Sequence, residues 1–95
     1  MPAYIIAVGD VTDQEVYSEY RRGAGPLLEK FGCKVLTARG KHEVLEGDWN
    51  PEYVGIFEFA DMATARAFYN SPEYTRLVEF RKNATTVRLV LVEGR

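Results

Sequence analysis

Arg81 is the charge in this sequence best placed to do chemistry. It follows Tyr74, Leu77 and Val78 at helical spacing, so it continues an apolar, core-facing stripe. A guanidinium there needs a partner, because an unpaired buried charge is very costly. It could hold a ligand carboxylate or enolate in a cleft between helices and sheet. Alternatively it pairs with Glu58, or lies over the core edge with its head in water. Glu58 sits among apolar neighbours in a strand-like run. A carboxylate desolvated there could act as a general base; it could equally be a structural partner for Arg81 or Arg39. His42 is the only histidine and so the only imidazole for proton transfer near neutrality. Its place beside a turn favours exposure.

Tyr17 and Tyr20 lie three residues apart, on neighbouring parts of one helix face. Their hydroxyls could reach a ligand carbonyl, or their rings could fill a core with the hydroxyls at its rim. Arg81, Tyr17, Tyr20, Arg39 and Ser71 are thus the candidate ligand contacts, with Glu58 and His42 as candidate proton-transfer groups. One Cys and one His cannot supply a zinc site of the usual ligand set. Gly23-Ala24-Gly25 precedes Pro26 inside a helical pattern, so it is no phosphate loop. No metal and no cofactor are expected.

These residues need elements to position them. Residues 4–8, 33–38, 42–46, 53–60 and 87–92 read as strands, with 33–38 and 42–46 joined as a hairpin through Arg39-Gly40-Lys41. Thr12 with Glu15 forms a capping box for a helix from about Asp13. Its apolar face is Val16, Tyr20, Ala24, Leu27 and Phe31. Pro26 predicts a kink or short break in it, and Gly32 a left-handed end. Asp61 caps a helix over 62–69. Asn70 can end it left-handed, and Ser71 with Pro72 starts another running to about Asn83. The order is β-α-β-β-α-α-β. With the two short helices taken as one connection, it is the split βαβ, ferredoxin-like pattern: an α+β domain with an antiparallel sheet, over 1–95.

The strands are apolar on both faces. Tyr4, Ile6 and Val8 oppose Ile5 and Ala7; Tyr53, Phe57 and Phe59 oppose Val54, Ile56 and Ala60; Val87, Leu89 and Leu91 oppose Val90 and Val92. Helices on one face leave the other bare, and a monomer would expose a patch that soluble proteins avoid. A homodimer packed through the open sheet face is the expected remedy. Trp49, in a loop, suits the seam. The net charge of −2 and the lack of a long basic run argue against nucleic-acid binding. The apolar runs are too short for a bilayer, and no signal peptide is expected. A single cysteine points to a reducing, cytoplasmic setting, with Cys33 buried and inert.

Several blocks resemble domain-of-unknown-function family 1330: Asp10-Val11-Thr12-Asp13 with Tyr17 and Tyr20, Phe31-Gly32, Val44-Leu45-Glu46-Gly47-Asp48-Trp49, Glu58-Phe59, Ala65 through Tyr74, Arg81, and Leu91-Val92-Glu93-Gly94. Two departures stand out. Gly32-Cys33 replaces a frequent Gly-Gly pair, and Phe59-Ala60-Asp61 replaces a frequent Phe-Pro-Ser. The resemblance implies the dimeric α+β barrel superfamily, which holds cofactor-free monooxygenases, isomerases such as muconolactone isomerase, and many proteins without an assigned activity. The expected function is binding of a small carbonyl- or carboxylate-bearing molecule. The alternatives are a cofactor-free enzyme of the isomerase or monooxygenase kind and a structural dimer without ligand.

Overall fold

A computed structural model describes residues 1–37 and 40–95. Its elements are β1 (Ala3–Gly9), α1 (Gln14–Lys30), β2 (Lys34–Thr37), β3 (Tyr53–Phe59), α2 (Met62–Tyr69), α3 (Pro72–Ala84) and β4 (Arg88–Glu93). The sheet order is β2-β3-β1-β4, and every neighbouring pair is antiparallel. This is the α+β, ferredoxin-like architecture expected. The strand expected at 42–46 is absent, since no regular structure forms between Gly40 and Glu52. β2 pairs with β3 instead, and its outer edge is left at the border of the sheet. The pairing of β2 is irregular, with a register shift between Val35 and Thr37.

The ends of the helices follow local chemistry. The cap of α1 is Asp13, not Thr12: Asp13 Oδ1 accepts from the Val16 N–H at 3.1 Å. The Thr12 and Asp13 amides both donate to the Ala84 carbonyl, at 2.6 and 3.1 Å, which ties the start of α1 to the end of α3. Thr12 is therefore held in a backbone contact rather than a capping box. Pro26 does not break α1, which runs through it. Pro26 and Arg22 are both exposed, so water can serve the carbonyl that loses its partner. Gly32 has φ +70, and the Gly32 and Cys33 amides bond back to the Glu29 and Leu28 carbonyls, a Schellman end. Asn70 is not left-handed; its φ is −92°. The chain needs no reversal there, because Ser71 starts α3 at once.

Ser71 is buried, donating to the Phe68 carbonyl at 2.8 Å and accepting from the Tyr74 N–H at 3.2 Å. It joins α2 to α3 and sets the direction of the helix that carries Tyr74 and Arg81. Gly23 lets α1 lie close to α3, since a Cβ there would come within 2.5 Å of Leu77.

The helices cover one sheet face. Ala3, Ile5, Phe59, Leu27, Ala65, Phe68 and Tyr74 form the core beneath them. Ile6 and Val8 of β1, Val54 and Ile56 of β3, and Val90 and Val92 of β4 share the other face. Val90 is 58% exposed and Val92 44%. Leu45 and Trp49, on the irregular segment, are 85% and 55% exposed.

Ser71→Ala is expected to cost about 1–2 kcal/mol in urea unfolding, because it removes a cap and leaves the Tyr74 amide unmatched. A change within error would show that Ser71 does not hold the α2–α3 junction.

Candidate functional site

A cleft of about 380 Å³ opens between α1, α3 and the covered face of the sheet. Its walls are mostly apolar and aromatic, with Ile5, Leu28, Phe57 and Phe68 among them. Tyr17, Tyr20, Tyr74 and Arg81 supply polar atoms. Mostly apolar walls with a few convergent polar groups are the usual make-up of a small-molecule site.

Each polar group is placed by its helix. Tyr17 and Tyr20 project from α1 and stack, with centroids 5.6 Å apart and planes 22° apart. Tyr74 and Arg81 lie seven residues apart on α3, two turns along one face. The Tyr20 and Tyr74 hydroxyls meet at 2.7 Å, so one donates to the other. Arg81 is only 7% exposed. Its Nη1 reaches the Val87 carbonyl at a long 3.4 Å, and its buried Nε has no hydrogen-bond partner. Among the described residues no carboxylate pairs with it.

Burial pushes the Tyr20 hydroxyl well above the usual tyrosine range, and Tyr74 beside it pushes the same way. Burial also raises Tyr74, against the opposing pull of the Tyr20 hydrogen bond and of the Arg81 guanidinium, which acts through its charge and through a hydrogen bond. Both hydroxyls therefore keep their protons at neutral pH and can donate.

The other candidates lie elsewhere. Glu58 does not pair with Arg81. It stands opposite Tyr4 in the sheet register, on the uncovered face, and accepts from the Tyr4 hydroxyl at 3.3 Å. Strand alternation requires this, since Phe57 and Phe59 on either side face the helices. His42 is exposed on the irregular segment; its Nε2 is 2.6 Å from the Pro51 carbonyl and its Nδ1 3.3 Å from that of Gly40. It clasps the segment and does not line the cleft. Ser71 is consumed in the helix junction. Arg39 falls outside the described residues. Cys33 is half-buried, and burial with the nearby Glu58 charge pushes its thiol up to about 11.

Two site residues escaped the sequence reading. Tyr74 reads as core, and its hydroxyl contact depends on a partner 54 residues away. Arg21 reads as one of a solvated Arg21-Arg22 pair, yet it lines the cleft while Arg22 pairs with Glu19 at 3.2 Å. Its signal was the four-residue step from Tyr17.

The model of a domain of unknown function, DUF1330, matches residues 2–95. The chain belongs to the DUF1330 family. No curated protein matches it. A protein of unknown function from Rhodopseudomonas palustris is similar to this DUF1330 protein at 23% identity and TM-score 0.82, covering 99% of this chain and 82% of that one. A dimeric protein of unknown function with a ferredoxin-like fold, from Bacteroides fragilis, is 14% identical with TM-score 0.62, over 98% and 96% of the two chains. SnoaB, a cofactor-independent oxygenase from Streptomyces nogalater, is 13% identical with TM-score 0.66, over 99% and 93%. At these identities the likeness shows the fold that the DUF1330 protein shares with them. No helix among its described residues is long and apolar enough to cross a membrane.

The tyrosine pair predicts an alkaline limit on stability. A folded hydroxyl held above its unfolded value of about 10 binds its proton when the unfolded chain has lost it. Stability is then complete below about pH 10 and falls above it, by up to about 1.4 kcal/mol per pH unit for each such hydroxyl. Urea unfolding from pH 9 to 11.5 should show this fall, and Tyr20→Phe should flatten it. An unchanged slope in Tyr20→Phe would clear Tyr20 of the effect.

Proposed function

We propose that this DUF1330 protein binds a small molecule with an apolar body and a carboxylate or enolate group, and does so as a homodimer packed through its open sheet face. One observation carries the binding reading: Arg81 is buried against an open, mostly apolar cleft and its Nε lacks a partner. A charge so placed is costly unless an anion or water completes it. A ligand oxyanion would meet the guanidinium and a tyrosine hydroxyl together. One of the two hydroxyls accepts from the other, so its own proton remains free to donate to the ligand.

The side chains support binding above turnover. Among the described residues that line the cleft, the ionisable groups are four tyrosines and two arginines, with no carboxylate and no imidazole. General-base chemistry at neutral pH would require one of those or an activated tyrosine, and Tyr20 and Tyr74 are shifted the wrong way for that. The dimer rests on the six aliphatic side chains that share the uncovered face.

Benzoate and benzamide are suitable first probes, measured by calorimetry and thermal shift at pH 7. Benzoate should bind the wild type, with benzamide at least about tenfold weaker. Arg81→Met should weaken benzoate by about 10- to 150-fold, the value of a hydrogen-bonded charge worth 1.5–3 kcal/mol. The unliganded variant should be as stable as the wild type or more so, because an uncompensated buried charge is gone. Equal benzoate affinity in the two proteins would remove Arg81 as the anchor.

Sedimentation at micromolar protein should show a dimer, and Ile56→Lys a monomer. A wild-type protein that is monomeric at those concentrations would end the dimer reading.

A further inference from the structure

The charges around the cleft all have one sign. On α1, Tyr17, Arg21, Ala24 and Leu28 follow one another at steps of four, three and four, and all four line the cleft. Arg21 is exposed, so it stands at the rim, whereas Arg81 is buried below. The other two cations of α1 have acidic partners: Arg22 has Glu19 and Lys30 has Glu73, each at 3.2 Å. Arg21 and Arg81 have none among the described residues, and no described Asp or Glu lines the cleft. In a chain of net charge −2 this is a local reversal of sign. Arg21 and Arg81 line one cavity, the first exposed and the second buried, with Tyr17, Tyr20 and Leu28 beside Arg21 on the α1 wall.

We infer that the ligand is a dianion, an apolar body of about one ring with an acidic group at each end, one on Arg81 and one on Arg21. The inference rests on the binding reading of the same cleft and adds the second acid. The inner acid meets the deep guanidinium and the free tyrosine proton. The outer acid stays partly in water beside Arg21, so it contributes less, and its contribution falls with salt. Arg81 thus sets whether an anion binds, and Arg21 selects for the longer, doubly charged one.

The probes are terephthalate, isophthalate and adipate, each compared by calorimetry at low salt with its own monomethyl ester. The ester keeps the shape and removes one charge. At least one diacid should bind about fivefold tighter than its ester, beyond the twofold that two equivalent ends give. Arg21→Met should erase that excess, weakening the diacid more than the ester or benzoate. Added salt should shrink the excess in the wild type. If every diacid binds no tighter than twofold over its ester, or if the excess survives in Arg21→Met, the second acid is wrong and the single-anion reading stands. Benzoate binding with no diacid bound would overturn the inference in the same way. If neither benzoate nor any diacid or ester binds, the anion cleft itself falls, and this inference with it.

Discussion

The contact between the Tyr20 and Tyr74 hydroxyls is the point through which the cleft is organised. It joins α1 to α3 inside the cleft, between the Lys30–Glu73 ion pair and the amide contacts to the Ala84 carbonyl that hold the helices together elsewhere. Rings extend from it in both directions. Tyr17 stacks on Tyr20 and meets Tyr53 edge-on; Tyr74 packs on Phe68, which reaches Phe59 and Phe31. This chain of rings runs from β3 over α1 and α3 to α2. Aromatic side chains lose little rotational freedom on packing and carry large contact areas. The wall of the cleft is therefore stiff, and the position of Arg81 is set by the same helix that carries Tyr74. Arg81 also lies in the last turn of α3, where the backbone dipole favours a cation. That placement eases the cost of a guanidinium with an open hydrogen-bonding site.

Much of this arrangement was legible in the sequence, and the failures have specific causes. The stripe Tyr74, Leu77, Val78, Arg81 put the arginine on the inward face of its helix because helical periodicity is local. The same holds for Tyr17 and Tyr20. Glu58 was misjudged although alternation already placed it opposite to Phe57 and Phe59; chemical type outweighed strand parity. Segment 42–46 has a strand's composition, but strand formation depends on a partner, and the partner of β2 came from residue 53 onward. The Tyr20–Tyr74 contact could not be read at all, since nothing in either local sequence fixes a distance between two helices. Gly23 leaves room there for the Leu77 side chain of α3, and a lone glycine in a helical pattern does not announce what it packs against.

The fold separates two tasks on the two faces of one sheet. The covered face builds a core and leaves a cleft beside it. The uncovered face carries aliphatic residues on β1, β3 and β4, with a polar corner of Tyr4, Glu58 and Lys34 at the β2 side. That corner, with Arg88 opposite Val8 at the start of β4, bounds the apolar surface and gives it an orientation. A two-fold partner would place the same corner twice, once on each side of the axis.

The irregular pairing of β2 bears on a different hazard. A sheet with a bare apolar face also has free edges, and a free edge can recruit further strands without limit. β2 is four residues long and slips register against β3 within that length. Few of its outward amides and carbonyls can line up with an incoming strand. Lateral growth at that edge is thereby frustrated.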